Sequence, residues 1–162
     1  MSKLTRDEFA RYVTENQNKF YRLAYSYAGN EQDALDIVQD AVERALLRLD
    51  TVRQAEYLRT WFYRVLVNES LMFLRRNASR PAPLPLCEEL AAGSAPPDAA
   101  ELRAMLGRLP PELKTVVFLR FYEDMKLSEI ADATGENLST VKTRLYRALK
   151  MLRLEMEDED GQ

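Results

Sequence analysis

Histidine is absent from this chain of 162 residues, and cysteine occurs once. No zinc centre of Cys and His ligands can form from that inventory. Neither a Ser-His-Asp nor a Cys-His pair is available for nucleophilic catalysis. A single thiol makes no internal disulfide, so nothing points to an oxidising compartment. Glycine is scarce at five residues, which excludes collagen-like or glycine-linker sequence. Long apolar runs are also missing. The most apolar window, Tyr57 to Leu74, contains Arg59, Arg64, Asn68 and Glu69, which a membrane span rarely carries. The N-terminus, MSKLTRDEF, lacks the apolar stretch of a signal peptide. The expectation is a soluble, cytoplasmic protein with no membrane insertion.

What is present is a helical, core-forming composition. Apolar residues make up 46% of the chain, and 23 Lys and Arg stand against 26 Asp and Glu. One segment differs from the rest. Residues 78–97, ASRPAPLPLCEELAAGSAPP, hold five of the seven prolines. Proline removes backbone donors and biases its predecessor away from helix. These 20 residues read as a flexible linker, with room for a short helical turn around Cys87 to Ala92. At ~3.1 Å per residue the linker reaches up to about 60 Å. Cys87 itself lacks basic neighbours, the setting of an inert thiol.

Both flanking blocks read as all-α, because no alternating apolar run persists. Phe9 to Ala28 reads as a first helix stopped by Gly29. Leu35, Val38, Val42, Ala45, Leu46 and Leu49 form an apolar stripe on a second, with Asp36, Gln39, Asp40 and Glu43 opposite. Tyr57 to Asn77 is apolar on most sides, so that helix must be largely buried or must meet a partner. Tyr57, Trp61, Phe62 and Phe73 have the spacing of core residues. The first block is expected to be a bundle of about four helices.

In the second block Asp98 and Glu101 make a capping-box-like start for a helix through Leu106. Pro111 suits the first position of the next helix, which is expected to run to about Tyr122. Ser128 is the expected cap of a short helix over Glu129 to Thr134, and Gly135 its stop. Ser139 is the expected cap of a long last helix. Short helix, tight turn, long helix is a helix-turn-helix pattern.

The net charge of −3 argues against a simple basic DNA-binding protein, but local charge argues for one. Leu138 to Leu154 carries Lys142, Arg144, Arg147, Lys150 and Arg153 and no acid. Val141, Leu145, Ala148, Leu149 and Leu152 take the core face, so the cations point outward. The N-terminal residues of such a helix reach base edges in the major groove. Here these are Ser139, Thr140, Lys142, Thr143 and, one turn on, Arg147. Arg144 and Lys150 suit phosphates. An acidic tail, residues 158–162, follows a run that already holds Glu155 and Glu157.

At this point three stretches of the second block resemble the −35-reading domain of bacterial RNA polymerase sigma factors. They are LPPELKTVVFLRFY (Leu109 to Tyr122), KLSEIAD (Lys126 to Asp132) and STVKTRLYRALK (Ser139 to Lys150). In the first block Asp33, Ala34, Asp36, Gln39 and Asp40 resemble the family's polymerase-binding helix. WFYRV (Trp61 to Val65), Asn68, Arg75 and Arg76 resemble its −10-reading helix. A two-domain chain of this size is similar to the extracytoplasmic-function (ECF) group of the sigma-70 family.

The resemblance implies two small helical domains: 1–77, binding the polymerase clamp and the −10 element, and 98–157, docking on the polymerase flap and reading the −35 element as duplex. It implies core-polymerase contacts through Asp33, Asp36, Gln39, Asp40 and Glu43. It implies −10 contacts through Trp61, Arg64, Asn68, Arg75 and Arg76, with a base pocket near the loop from Asp50 to Glu56. Core RNA polymerase, promoter DNA and, from the group alone, an anti-sigma factor are the implied partners. No catalytic residue, metal or cofactor is expected. Met72 stands where the family often has an acid. Glu69 replaces a usual apolar or small residue, and Glu136-Asn137-Leu138 replaces a loop that commonly contains proline. The alternatives are a conventional helix-turn-helix regulator binding duplex DNA without polymerase, and an enzyme using Asp36 and Asp40 as metal ligands. For the enzyme, no second acidic cluster at ligand spacing is found.

Overall fold

The computed structural model describes residues 4–77 and 107–160, with side chains to Arg153. It is all-α, in two small helical units joined through residues 78–106. The helix expected over 98–106 and the short helical turn allowed for around 87–92 lie outside the described residues.

The first unit contains α1 (Arg6–Ala28), α2 (Glu31–Leu47) and α3 (Leu58–Arg76), with short 3₁₀ turns at Leu49–Thr51 and Ala55–Tyr57. It is therefore a three-helix bundle among the described residues, where about four helices were expected. Helix α1 starts three residues before the expected Phe9. The Thr5 hydroxyl accepts from the Glu8 N–H at 3.1 Å, and the Glu8 carboxylate accepts from the Thr5 N–H at 3.4 Å. That reciprocal capping box satisfies two donors at once. Gly29, at φ +79°, ends the helix in the left-handed region. Asn30 then caps α2 by accepting from the Asp33 N–H at 2.9 Å.

Helix α2 turns a different face inward from the one its leucines marked. Ala34, Ile37, Ala41 and Ala45 are buried, Val38, Val42 and Leu46 are half-buried, and Leu35 and Leu47 are exposed. Leu49 is buried, but in the 3₁₀ turn after α2. Alanines facing α1 and α3 let the helix axes approach closely. The core centres on aromatic rings: Phe20 and Phe62 lie 4.7 Å apart, Phe9 and Phe62 5.7 Å, and Phe20 and Tyr63 5.4 Å. Glu69 of α3 is also buried, at 4% exposure. Its carboxylate is paired with Arg44 of α2. That pairing accounts for an acid at this buried position of α3.

The second unit contains α4 (Pro111–Val117), α5 (Leu127–Thr134) and α6 (Leu138–Asp160). Helix α4 does not run as a plain α-helix to Tyr122. It passes into a wide π turn over Phe118–Tyr122, closed by the Glu123 N–H donating to the Phe118 carbonyl five residues back at 3.3 Å. Asp124 follows at φ +53°, in the left-handed region. The Lys126 N–H, not Ser128, takes part in the cap of α5, donating to the Glu129 carboxylate at 2.9 Å. Leu109, Leu113 and Val117 pack on Ala148 and Leu152 as the second unit's own apolar cluster. The backbone of α6 stays helical to Asp160, into the segment read as an acidic tail.

The two units also pack on each other. Phe118, Leu119, Met125, Ile130 and Ala133 belong to one contiguous core with Phe62, Tyr63 and Phe20, and α5 lies along α3. This contact answers the requirement that the α3 sequence, apolar on most sides, be largely buried or meet a partner.

Candidate nucleic-acid interface

The turn between α5 and α6 is built from Gly135, Glu136 and Asn137. Gly135 sits at φ +74°, and both its N–H and that of Glu136 donate to the Ala131 carbonyl, at 2.9 and 3.2 Å. An L-residue there would cost roughly 1–2 kcal/mol in backbone conformation alone. Asn137, not Ser139, caps α6. Its Oδ1 accepts from the Thr140 N–H at 2.8 Å and from the Ser139 hydroxyl at 2.9 Å.

This cap fixes the chemistry of the first turn of α6. The Ser139 proton is committed to Asn137, and the Thr143 hydroxyl donates to the Ser139 carbonyl at 2.9 Å. Thr143 is exposed, so its methyl group and oxygen lone pairs are what it offers outward. Lys142, Arg147 and Lys150 are exposed, and a shallow hollow is lined by Ser139, Thr140, Thr143, Arg144 and Arg147. Arg144 is less free than its neighbours, being half-buried and paired with Glu136 at 3.5 Å. The core face of α6 is Val141, Ala148 and Leu152, with Leu145 half-buried. Leu149, expected inside, is 37% exposed.

On α3, Arg64, Asn68, Arg75 and Arg76 are exposed, and Trp61 is half-buried. Trp61, Arg64, Asn68 and Arg75 recur at three, four and seven residues, so they share a face. Arg75 and Arg76 stand in the last turn, where cations complement the helix dipole. Phe62 and Phe73 pack inward as expected, but Tyr57 is 58% exposed beside the 50–56 loop. On α2, Asp36, Gln39, Asp40 and Glu43 are exposed on one face. Gln39 donates to Glu43 at 3.4 Å, and Gln32 to Asp36 at 3.2 Å. Asp33 is set apart: half-buried, it accepts from the Asn30 side chain at 2.7 Å as part of the α2 cap. Among the described residues no three His, Cys, Asp or Glu gather as a metal-ion group, and no helix is long and apolar enough to cross a membrane.

Comparison with known proteins decides the family. The family described as Sigma-70 region 2 matches residues 12–80, and that described as Sigma-70, region 4 matches residues 99–152. The RNA polymerase sigma factor SigV of Bacillus subtilis is 45% identical over 150 residues, covering 91% of this chain and 90% of that protein. The chain belongs to the ECF RNA polymerase sigma factors. ECF RNA polymerase sigma factor SigW of the same organism is 27% identical, covering 98% of this chain and 94% of that protein. The fold matches that of the sigma factor RpoE from Bartonella quintana, solved in complex with the anti-sigma factor NepR, at a TM-score of 0.72. That structure is 18% identical and covers 93% of this chain and 97% of the other. As a sigma factor, the protein binds core RNA polymerase, recognises −35 and −10 promoter elements and promotes transcription initiation. It is a regulatory DNA-binding protein, and the reading as a regulator working without polymerase falls away.

The sequence reading passed over one residue on the α6 face of this sigma factor. Tyr146 is 70% exposed, three residues after Thr143 and four before Lys150, off the Val141–Ala148–Leu152 stripe. Its helical phase was the signal available. Tyr57 was assigned to the core because its spacing from Trp61 fits burial, and the 3₁₀ turn rotates it outward.

Proposed function

We propose that the two units divide promoter recognition between them. Residues 1–77 bind the polymerase clamp through Asp36, Gln39, Asp40 and Glu43, with Asp33 shaping the start of that helix. The same unit holds the −10 strand through Trp61, Arg64, Asn68, Arg75 and Arg76, and the exposed Tyr57 ring adds a stacking platform beside the 50–56 loop. Residues 98–157 read the −35 element. Ser139, Thr140, Lys142, Thr143, Arg147 and Tyr146 face base edges, while Arg144 and Lys150 hold phosphates. Residues 78–97 connect the two, and 158–162 form an acidic end.

The observation that carries this reading is the capped first turn of α6, which offers cations and a threonine methyl outward from the second helix of a helix-turn-helix. The protein acts as a dissociable factor in the cytoplasm and performs no catalysis of its own. The fold it shares with a sigma factor solved with an anti-sigma factor supports an anti-sigma partner here.

Reconstitution tests the reading. Purified protein is mixed with bacterial core polymerase, and run-off transcription is scored on a pool of genomic fragments. Discrete start sites that share two upstream elements are expected. Arg147→Ala should then cost roughly 1–3 kcal/mol at one −35 position and little at the others. A uniform loss across all sequences would make Arg147 a phosphate contact.

A further inference from the structure

The contact between the two units is built from charged groups as well as apolar ones. Glu123, from the second unit, is 7% exposed and enters the first unit between two of its cations. Arg59 at the start of α3 approaches its carboxylate at 3.5 Å, and Lys19 of α1 at 3.8 Å. The Arg59 guanidinium also donates to the Glu123 carbonyl. Lys114 of α4 reaches the other way. It is 7% exposed, and its ammonium donates at 2.6 Å to the Ser26 carbonyl in the last turn of α1, where a helix favours a cation. A third point of contact is Arg64. Its guanidinium lies against Gly135, so close that a Cβ there would stand 3.1 Å from Nη2.

The backbone around Glu123 is correspondingly unusual. The π turn over Phe118–Tyr122 precedes it, and Asp124 at φ +53° follows it. Departures of this kind persist only where surrounding contacts hold them in place. Here the side chain they aim is the buried Glu123. Arg64 and Gly135 belong to the helix assigned to the −10 element and to the turn that presents the −35 helix. With those two in contact, one molecule cannot occupy promoter elements about two helical turns apart on a duplex of 34–36 Å per turn.

We propose that Glu123 is a latch: seated between Lys19 and Arg59, it holds the second unit against α3 in a closed form that excludes the promoter-bound arrangement, and core polymerase or promoter must unseat it. This rests on the assignment of α3 and α6 to the two promoter elements.

The full-length chain carrying Cys87→Ser, Glu15→Cys and Ser128→Cys, labelled with a dye pair, reports the separation of α1 and α5. Glu123→Lys removes the acid and repels both cations. Lys19→Glu disturbs the latch from the first unit, at a half-exposed site. Both are expected to lower transfer efficiency while circular dichroism keeps its helical signal. Adding core polymerase should lower the efficiency of the unsubstituted chain towards the same value. If the closed form dominates, the apparent affinity for core polymerase falls in proportion to the open fraction, so Glu123→Lys should bind core polymerase about tenfold more tightly. Unchanged transfer efficiency in both variants, with helical content intact, would overturn the latch. Lower efficiency with unchanged polymerase affinity would overturn its inhibitory role. Opening in the variants, with no polymerase binding by any version of the chain, would instead overturn the assignment of function.

Discussion

Glu69 shows how a single residue can look misplaced in sequence and be explained by one neighbour. A buried acid is costly unless it is paired, and Arg44 supplies the pair from α2. Removing Arg44 leaves the carboxylate buried without its cation. Arg44→Met is therefore expected to destabilise by about 1–3 kcal/mol, less than a fully buried pair because Arg44 is half exposed. Urea unfolding of the two proteins measures this, and an unchanged midpoint would mean that Glu69 finds another partner. The tyrosines make a second prediction at this scale. Burial, and then the nearby Glu123 carboxylate, push the phenols of Tyr12 and Tyr63 well above their ordinary value of 10.0, with Arg59 partly opposing. Burial, and then Glu112, do the same to Tyr27. The native state therefore binds these protons more tightly than the unfolded chain. The stability they contribute is complete below about pH 10 and is lost as the pH climbs above it. Tyrosinate absorbance from Tyr12, Tyr27 and Tyr63 should appear only together with loss of helical signal. Smooth titration of all tyrosines before unfolding would contradict this.

The element scale is where the sequence was most and least readable. Gly29 and Gly135 were legible as stops because few other residues accept the left-handed conformation both adopt. The α6 cap was misplaced by two residues, since Asn137 and Ser139 are both good cap residues and only the backbone decides between them. Asn137→Ala is expected to cost about 1 kcal/mol and to fray the turn that carries Ser139 and Thr140. With core polymerase present, affinity for a −35 duplex should fall more than affinity for a −10 strand. An equal loss on both would mean that Asn137 acts on the fold alone. The inward face of α2 was misread from its larger side chains. Leu35 is a large apolar group, yet the buried face is made by Ala34, Ile37, Ala41 and Ala45, and Leu35 is left outside. The π turn had no signature at all. FLRFY is ordinary helix sequence, and the wide turn serves a contact some 60 residues away in the chain, between Arg59 and Glu123. The outward cations of α6 were legible from the apolar stripe opposite them, except that Leu149 is 37% exposed and Arg144 is half-buried against Glu136. Tyr146 belongs to neither set and was missed.

At the scale of the whole molecule, the closed arrangement sets an order of events. Each surface of the division proposed above is exposed at least in part: the acidic face of α2, the outer face of α3 and the first turns of α6. What the closed form lacks is separation between them. The free chain should therefore recognise a promoter poorly as a whole, even where one element alone is bound. This is testable with a promoter recovered from the run-off pool, by fluorescence anisotropy at fixed ionic strength, because phosphate contacts make any affinity salt-dependent. For the free chain, replacing the −10 element with unrelated sequence is expected to change affinity less than about twofold. With core polymerase the same replacement should cost about tenfold, on the order of 1.4 kcal/mol. The Glu123→Lys chain should fall between the two, since opening makes both elements reachable while polymerase still provides the clamp and the flap on which the units dock. A free chain as sensitive to the −10 element as the holoenzyme would mean that the two units separate unaided, and the contacts of Glu123 and Lys114 would then be bystanders to promoter choice.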